Sequence, residues 1–236
     1  MNASGTTATI VLVHGAWADG SSWTCIIKRL QSRGVRVLAA PIPLTSLSDD
    51  VAALERALER TDGPVVLVAH AYAGAVIGAC TNERVKSLVF IAALTPDAGE
   101  TVGQVFFREK PHPEAPHLAP DAHGFFWMPD DRFGTAFCQN ASPERAALLA
   151  ATQRPIALEC IEEKAPRPAW REKPSWYLVA EEDRMINPAT QSFLARRMGA
   201  QIRSEEVDHA PLVTAPELVV EIILEAVTSS VSRPNI

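Results

Sequence analysis

A chain of 236 residues, 47% of them hydrophobic, is long enough to bury about 70–75% of its unfolded surface in one core and needs no second domain. Its net charge of −6, without a basic cluster or any interleaving of basic and aromatic residues, argues against nucleic acid and anionic membrane as partners. The four cysteines, Cys25, Cys80, Cys138 and Cys160, show no paired spacing and read as buried reduced thiols. With no basic leader before the first apolar run, a cytoplasmic protein is expected. Asn2 and Asn140 stand in N-x-S triplets, which matter only in a secreted chain.

In chain order, residues 9–23 (TIVLVHGAWADGSSW) run from an apolar strand into His14-Gly15-Ala16-Trp17 and a loop of small residues. Such a strand end can offer a backbone N–H to an oxyanion. Ser21 and Ser22 read as helix caps before Trp23, Ile26 and Ile27 rather than as displaced nucleophiles. After a strand at 35–40, Ser48 is placed to cap a helix whose Val51, Leu54 and Leu58 share one face, with Gly63 ending it. Residues 65–76 (VVLVAHAYAGAV) begin with a continuous apolar run, the mark of a central parallel strand covered on both faces. A sharp turn and a helix through Ala75, Val76 and Ile77 follow. A turn of this kind presents a nucleophile at its tip and tolerates only tiny side chains two residues to either side. Ala69 and Ala73 meet that demand, but the tip is Ala71.

A further strand is expected at 86–92. Strand–helix alternation then lapses over residues 97–173, which read as an inserted cap rich in Pro, His and aromatic residues. Phe106, Phe107, Phe125, Phe126, Trp127 and Met128 are candidates for pocket walls, or for the cap's own small core. His112, His117 and His123 are separated by prolines that prevent a shared helical face, so no metal site is expected. In residues 174–188 (PSWYLVAEEDRMINP) a strand ends in three acids, of which Asp183 is the best placed at the ligand-binding edge of an open sheet. The helix after it begins near Pro188. A strand at 201–206 leads to His209, which precedes a C-terminal helix carrying Leu218, Val219 and Ile222.

On the HGAW loop, the AHAYAG turn, Asp183 and His209, in that chain order, the sequence resembles the α/β-hydrolase superfamily over nearly its whole length. Within it, the likeness is to the compact esterase and hydroxynitrile-lyase-like branch. The resemblance implies an α/β fold with a mainly parallel central sheet flanked by helices and a small helical cap. It also implies a site: Ala16 or Trp17 together with Tyr72 at the oxyanion-hole positions, Ala71 at the nucleophile position, Asp183 as acid and His209 as base. Three residues depart from the GHSYGG-type turn of that branch, since Ala69, Ala71 and Ala73 replace Gly, Ser and Gly. The paired glycine replacements fit a natural lineage without the hydroxyl better than a single engineered change. Ala210 stands where the plant lyases of this branch place a lysine.

A methyl at position 71 closes the acyl-enzyme route, which needs an attacking oxygen. A His–Asp pair still serves as a general base, and an N–H pair still holds an enolate or oxyanion. The expected function is therefore proton abstraction or water activation on a small carbonyl, ester or lactone-type substrate. The alternatives are a non-catalytic ligand-binding descendant and a serine esterase carrying a Ser-to-Ala replacement at Ala71. No GxGxxG after a strand and no GxxxxGK[ST] occurs, so no cofactor is expected.

Overall fold

Runs of Val, Leu and Ile wide enough to be covered on two sides set the architecture. The computed structural model describes residues 8–231; Asn2 lies outside them. The strands are β1 (Thr9–Val13), β2 (Val37–Ala40), β3 (Val65–His70), β4 (Val85–Ile91), β5 (Phe125–Phe126), β6 (Ile156–Ala157), β7 (Ser175–Ala180) and β8 (Gln201–Glu205). Six of them form one parallel sheet in the order β2-β1-β3-β4-β7-β8, and β5 pairs with β6 in a separate antiparallel ribbon.

The helices are α1 (Thr24–Ser32), α2 (Leu47–Leu58), α3 (Ala73–Ala79), α4 (Val102–Phe106), α5 (Asp130–Arg132), α6 (Pro143–Ala151), α7 (Leu158–Glu162), α8 (Pro188–Arg197), α9 (Pro211–Thr214) and α10 (Pro216–Val231). Because side chains alternate along a strand, the central strands serve two layers. Val11, Val65, Leu67, Phe90 and Val179 pack with Leu54 and Leu58 of α2, Val76 and Ile77 of α3 and Leu194 of α8. Ile10, Leu12, Val66, Val68 and Leu178 pack with Ile26 and Leu30 of α1 and Val219, Ile222 and Ile223 of α10. The sheet is thus mainly parallel and flanked by helices, as its apolar runs imply.

Helix starts differ from the sequence reading. Asp19, not Ser21 or Ser22, caps the first turn: its carboxylate accepts the Ser21 N–H at 2.8 Å, a 3₁₀ turn spans Gly20–Trp23, and α1 opens only at Thr24. An ionised oxygen is the stronger acceptor for an exposed helix-end N–H, so the aspartate wins over the serines. Ser46, not Ser48, caps α2 by accepting the Asp49 N–H at 3.0 Å. Ser48 sits inside the helix and donates its N–H to Glu163. That helix ends at Leu58, and Gly63 instead takes φ 73° in the turn into β3.

Between β4 and β7 the chain leaves the sheet for an excursion of short helices, the β5–β6 ribbon and a π-helical turn at Phe133–Phe137. Residues 107–124 within it carry no strand and no helix. Cys80, Cys138 and Cys160 are buried, and burial pushes each thiol up to about 12. Cys25 is only partly buried, since it stands off the Ile26 and Leu30 stripe of α1. Among the described residues no helix is long and apolar enough to cross a membrane.

Candidate active site

β3 delivers the chain into the sharp turn. Ala71 has φ 50°, a left-handed conformation that costs a non-glycine residue about 1–3 kcal/mol and persists only where neighbours over-determine it. Here the Ala71 N–H donates to Ile91 O at 3.2 Å, and Ala71 O accepts the N–H groups of Gly74 (3.1 Å) and Leu94 (3.0 Å). Two glycines make the crossing possible. A Cβ on Gly74 would lie 2.5 Å from Leu94 O, and one on Gly15 would lie 3.0 Å from both the Ala71 Cβ and His70 O. Ala69 and Ala73 are fully buried beside the turn.

The loop after β7 carries Asp183, and the loop after β8 carries His209, which borders the same cavity as Ala71. His209 Nδ1 lies 2.8 Å from Asp183 Oδ2, with both side chains buried. Asp183 is held by three further donors: the N–H groups of Met185 (2.7 Å) and Ile186 (2.8 Å) on Oδ1, and Gln191 Nε2 (2.7 Å) on Oδ2. A carboxylate accepts only, so the His209 proton sits on Nδ1, which leaves Nε2 as the basic ring atom. The neighbouring acids do not compete. Glu181 and Glu182 are exposed and accept from the Ser204 hydroxyl and from Asn140 Nδ2, respectively.

Three residues that the sequence reading did not single out complete the setting. His70 donates from Nε2 to His209 O at 2.7 Å, and its ring lies 4.8 Å from the His209 ring. Burial and the adjacent His209 push His70 down to about 3, so it is neutral and a fixed donor. Phe137, from the excursion, meets both rings edge-on, His209 at 5.0 Å and His70 at 6.1 Å. Gln191 links Asp183 to the sheet by accepting the Ala180 N–H. Only His70, directly before Ala71, had any marker in the sequence. Phe137 is brought in from a distant segment, and Gln191 reaches Asp183 from the first turns of α8, eight residues further on.

Of the two candidates in the first loop, Trp17 is already engaged: its N–H donates to Arg154 O at 3.1 Å and its indole to Phe126 O at 3.0 Å. A donor so occupied is not free for a ligand, which leaves Ala16. Among the described residues the N–H groups of Ala16 and Tyr72 have no hydrogen-bond partner. Ala16, Trp17, Ala71, Tyr72 and His209 all border one cavity of about 510 Å³.

Phe106, Phe107 and Phe126 line that cavity, as expected of wall residues. Phe125, Trp127 and Met128 do not. Successive strand residues face opposite sides, which separates Phe125 from Phe126. Met128 is buried in the core, and Trp127 is half exposed and donates to Asp121. His112 and His117 border the cavity and His123 does not. Among the described residues no three metal-ligating side chains cluster. The titratable groups in the wall are Tyr72, His209, Lys110, His112 and His117; no Asp or Glu is among them.

A family model described as the alpha/beta hydrolase family matches residues 10–222. Among similar proteins, alpha/beta hydrolase nvfD of Aspergillus novofumigatus is 25% identical, covering 92% of this chain and 95% of its own. Methylesterase 2 of Arabidopsis thaliana is also 25% identical, over 91% of this chain and 94% of its own. In three dimensions, a histidine variant of tomato methylketone synthase I complexed with beta-ketoheptanoate superposes with a TM-score of 0.79 at 17% identity, covering 95% of this chain and 99% of that one. At that identity the likeness speaks for the fold.

Proposed function

The chain belongs to the alpha/beta hydrolase family over residues 10–222, and from that premise we propose that it is an enzyme acting on a small carbonyl, ester or lactone compound through His209 and Asp183, without a serine nucleophile. The observation that carries this reading is the 2.8 Å contact between His209 Nδ1 and Asp183 Oδ2, set on the same cavity as the strained turn of Ala71. An imidazole held in one tautomer by a carboxylate with three further donors is arranged to use its other nitrogen as a base. A binding pocket gains little from that arrangement, and burying it is costly.

In the proposed reaction His209 Nε2 takes a proton from the carbon next to a carbonyl, or from a water molecule. The N–H groups of Ala16 and Tyr72 receive the developing oxyanion. The methyl of Ala71 leaves room where a serine oxygen would stand and removes the competing acyl-enzyme path. General base action contributes about 10²–10⁴-fold, and each oriented N–H about 10²–10³-fold. The excursion between β4 and β7 serves as the cap that keeps the cavity dry.

The cavity wall also supports a substrate with an anionic group. Glu109 and Glu114, on the same segment as Lys110, turn toward Arg108 and Arg132. The Lys110 ammonium is thereby left without a partner among the described residues, on a wall that holds no acid. The tomato methylketone synthase I structure holds a keto acid, beta-ketoheptanoate, a compound of the same chemical type.

The test is a screen of p-nitrophenyl esters, lactones and β-keto acids with the wild-type protein, followed by His209→Ala on whatever is turned over. The expected loss in kcat is about 10²-fold or more. Turnover that survives the substitution undiminished would overturn the mechanism.

A further inference from the structure

Asp50, in the first turn of α2, is fully buried and takes no part in the proposed chemistry. No cation among the described residues pairs with it; its partners are three donors from three separate parts of the cavity's frame. The Tyr72 hydroxyl donates to Oδ2 at 2.7 Å, the Leu44 N–H to Oδ1 at 2.7 Å and the Cys160 thiol to Oδ2 at 3.7 Å. Tyr72 belongs to the sharp turn and Cys160 to α7 of the excursion. Leu44 sits in the left-handed region with φ 62°, and its carbonyl accepts the N–H of Ala157 in β6.

We propose that Asp50 is a positioning residue: by holding the Tyr72 hydroxyl it fixes the Tyr72 backbone N–H relative to Ala71, and it ties that N–H to the cap through Leu44 and Cys160. The inference rests on the reading of the Tyr72 N–H as an oxyanion donor. A buried carboxyl that merely filled space would be destabilising compared with an apolar residue of the same size. One carboxylate that collects a donor from the turn, the loop after β2 and the excursion has a reason to be there.

The linkage makes the site sensitive to the proton on Asp50. Burial raises this carboxyl to about 6, opposed by the Tyr72, Leu44 and Cys160 hydrogen bonds and reinforced by Asp49. From its own helix only Asp49 adds charge, and the Thr45 hydroxyl binds it. From the packed elements the titratable neighbours are Tyr72 and Cys160, both pushed up by burial and so protonated donors. Above the transition, Oδ2 accepts from both. Below it, the carboxyl carries a proton of its own on Oδ1, beside the Leu44 N–H, or on Oδ2, beside Tyr72 and Cys160, and the neutral group holds these donors more weakly than the carboxylate does.

The experiment is a ¹⁵N titration of the backbone amide at position 72 between pH 5 and 7.5, on the full chain. The expected result is an inflection near pH 6 that persists in His209→Gln, vanishes in Asp50→Asn and shrinks by more than half in Tyr72→Phe, which keeps the carboxyl and removes the link. Dispersion of the remaining amides reports that each variant is folded. An amide that is flat over this range, or an inflection that survives Asp50→Asn, overturns the proposal. Neither outcome depends on turnover, so failure here is separate from failure of the His209 mechanism.

Discussion

A methyl group does not need a left-handed backbone, yet Ala71 keeps φ 50° and the cost of about 1–3 kcal/mol that goes with it. The neighbours account for this: the carbonyl of Ala71 receives two N–H groups, and glycines at 15 and 74 admit chain at distances that a side chain would block. The turn is therefore held from outside position 71, and the residue there is free to change. Ala71→Ser is expected to gain measurable hydrolysis of p-nitrophenyl acetate, because the new hydroxyl would stand on the same cavity as His209 and the unengaged N–H groups of Ala16 and Tyr72. An inert, folded variant would show that His209 Nε2 does not face that position. At this scale Asp183 and His209 were legible in the sequence, since each lies in the loop that follows a strand and their order follows the fold. His70 and Gln191 were not. The His70 contact joins residues 139 apart, and no local pattern encodes a partner at that separation.

Strands and helices differ in how well the sequence announced them. All six strands of the large sheet lie within a residue or two of expectation: β1, β3, β4 and β7 because burial on both faces demands an almost unbroken apolar run, and the edge strand β8 (QIRSE) although it is largely exposed. Helix starts moved by two residues or more, to Asp19 and Ser46, because several polar side chains compete for the same N–H and local geometry chooses among them. The excursion was legible only as an interruption. Its shape depends on long-range clamps such as the Trp17 indole on Phe126 O and Gln139 Nε2 on Glu182 O. The loop carrying Lys110 offers a test of the substrate's charge. Wild-type protein is expected to bind decanoate about five- to tenfold tighter than decanol at low ionic strength, a margin on the order of 1 kcal/mol for one partly solvated charge pair. Lys110→Glu should erase or invert that preference, and added salt should reduce it in the wild type. Titration calorimetry reads both, and an unchanged ratio in the variant would remove Lys110 from substrate selection.

Two buried groups tilt the stability of the whole molecule with pH, in opposite directions. His70 is lowered from 6.5 to about 3, so below pH 6.5 the unfolded chain binds a proton that the folded one refuses. Its contribution is therefore full above 6.5 and is lost as pH falls toward 3, at about 1.4 kcal/mol per pH unit. Asp50 is raised from 3.8 to about 6, so the folded state keeps a proton that the unfolded chain releases. Its contribution is lost as pH rises from 3.8 to 6, with the same slope and the opposite sign. His14, lowered by burial, adds to the first tilt and Asp208, raised by burial, to the second. Between pH 4.5 and 6 the two main slopes offset. Relative to wild type, His70→Gln should lose about 2 kcal/mol of stability on going from pH 4.5 to 6, and Asp50→Asn should gain a similar amount. Urea unfolding at a series of pH values measures this, and parallel profiles for all three proteins would refute it.

The sequence by itself determined the sheet, its parallel sense, the turn at Ala71 and the placing of Asp183 and His209 after successive strands, because apolar periodicity and the demand for tiny residues at a tight crossing are local properties of the chain. It also determined that no hydroxyl stands at position 71. Only the tertiary structure decided which N–H groups are free, with Trp17 spent on Arg154 O and Ala16 unengaged. It also decided which aromatic residues face the cavity and that a buried carboxyl at Asp50 joins the turn to the excursion. Those outcomes depend on which distant groups meet, and a hydrogen-bond donor is taken or left free only once the chain has closed around it.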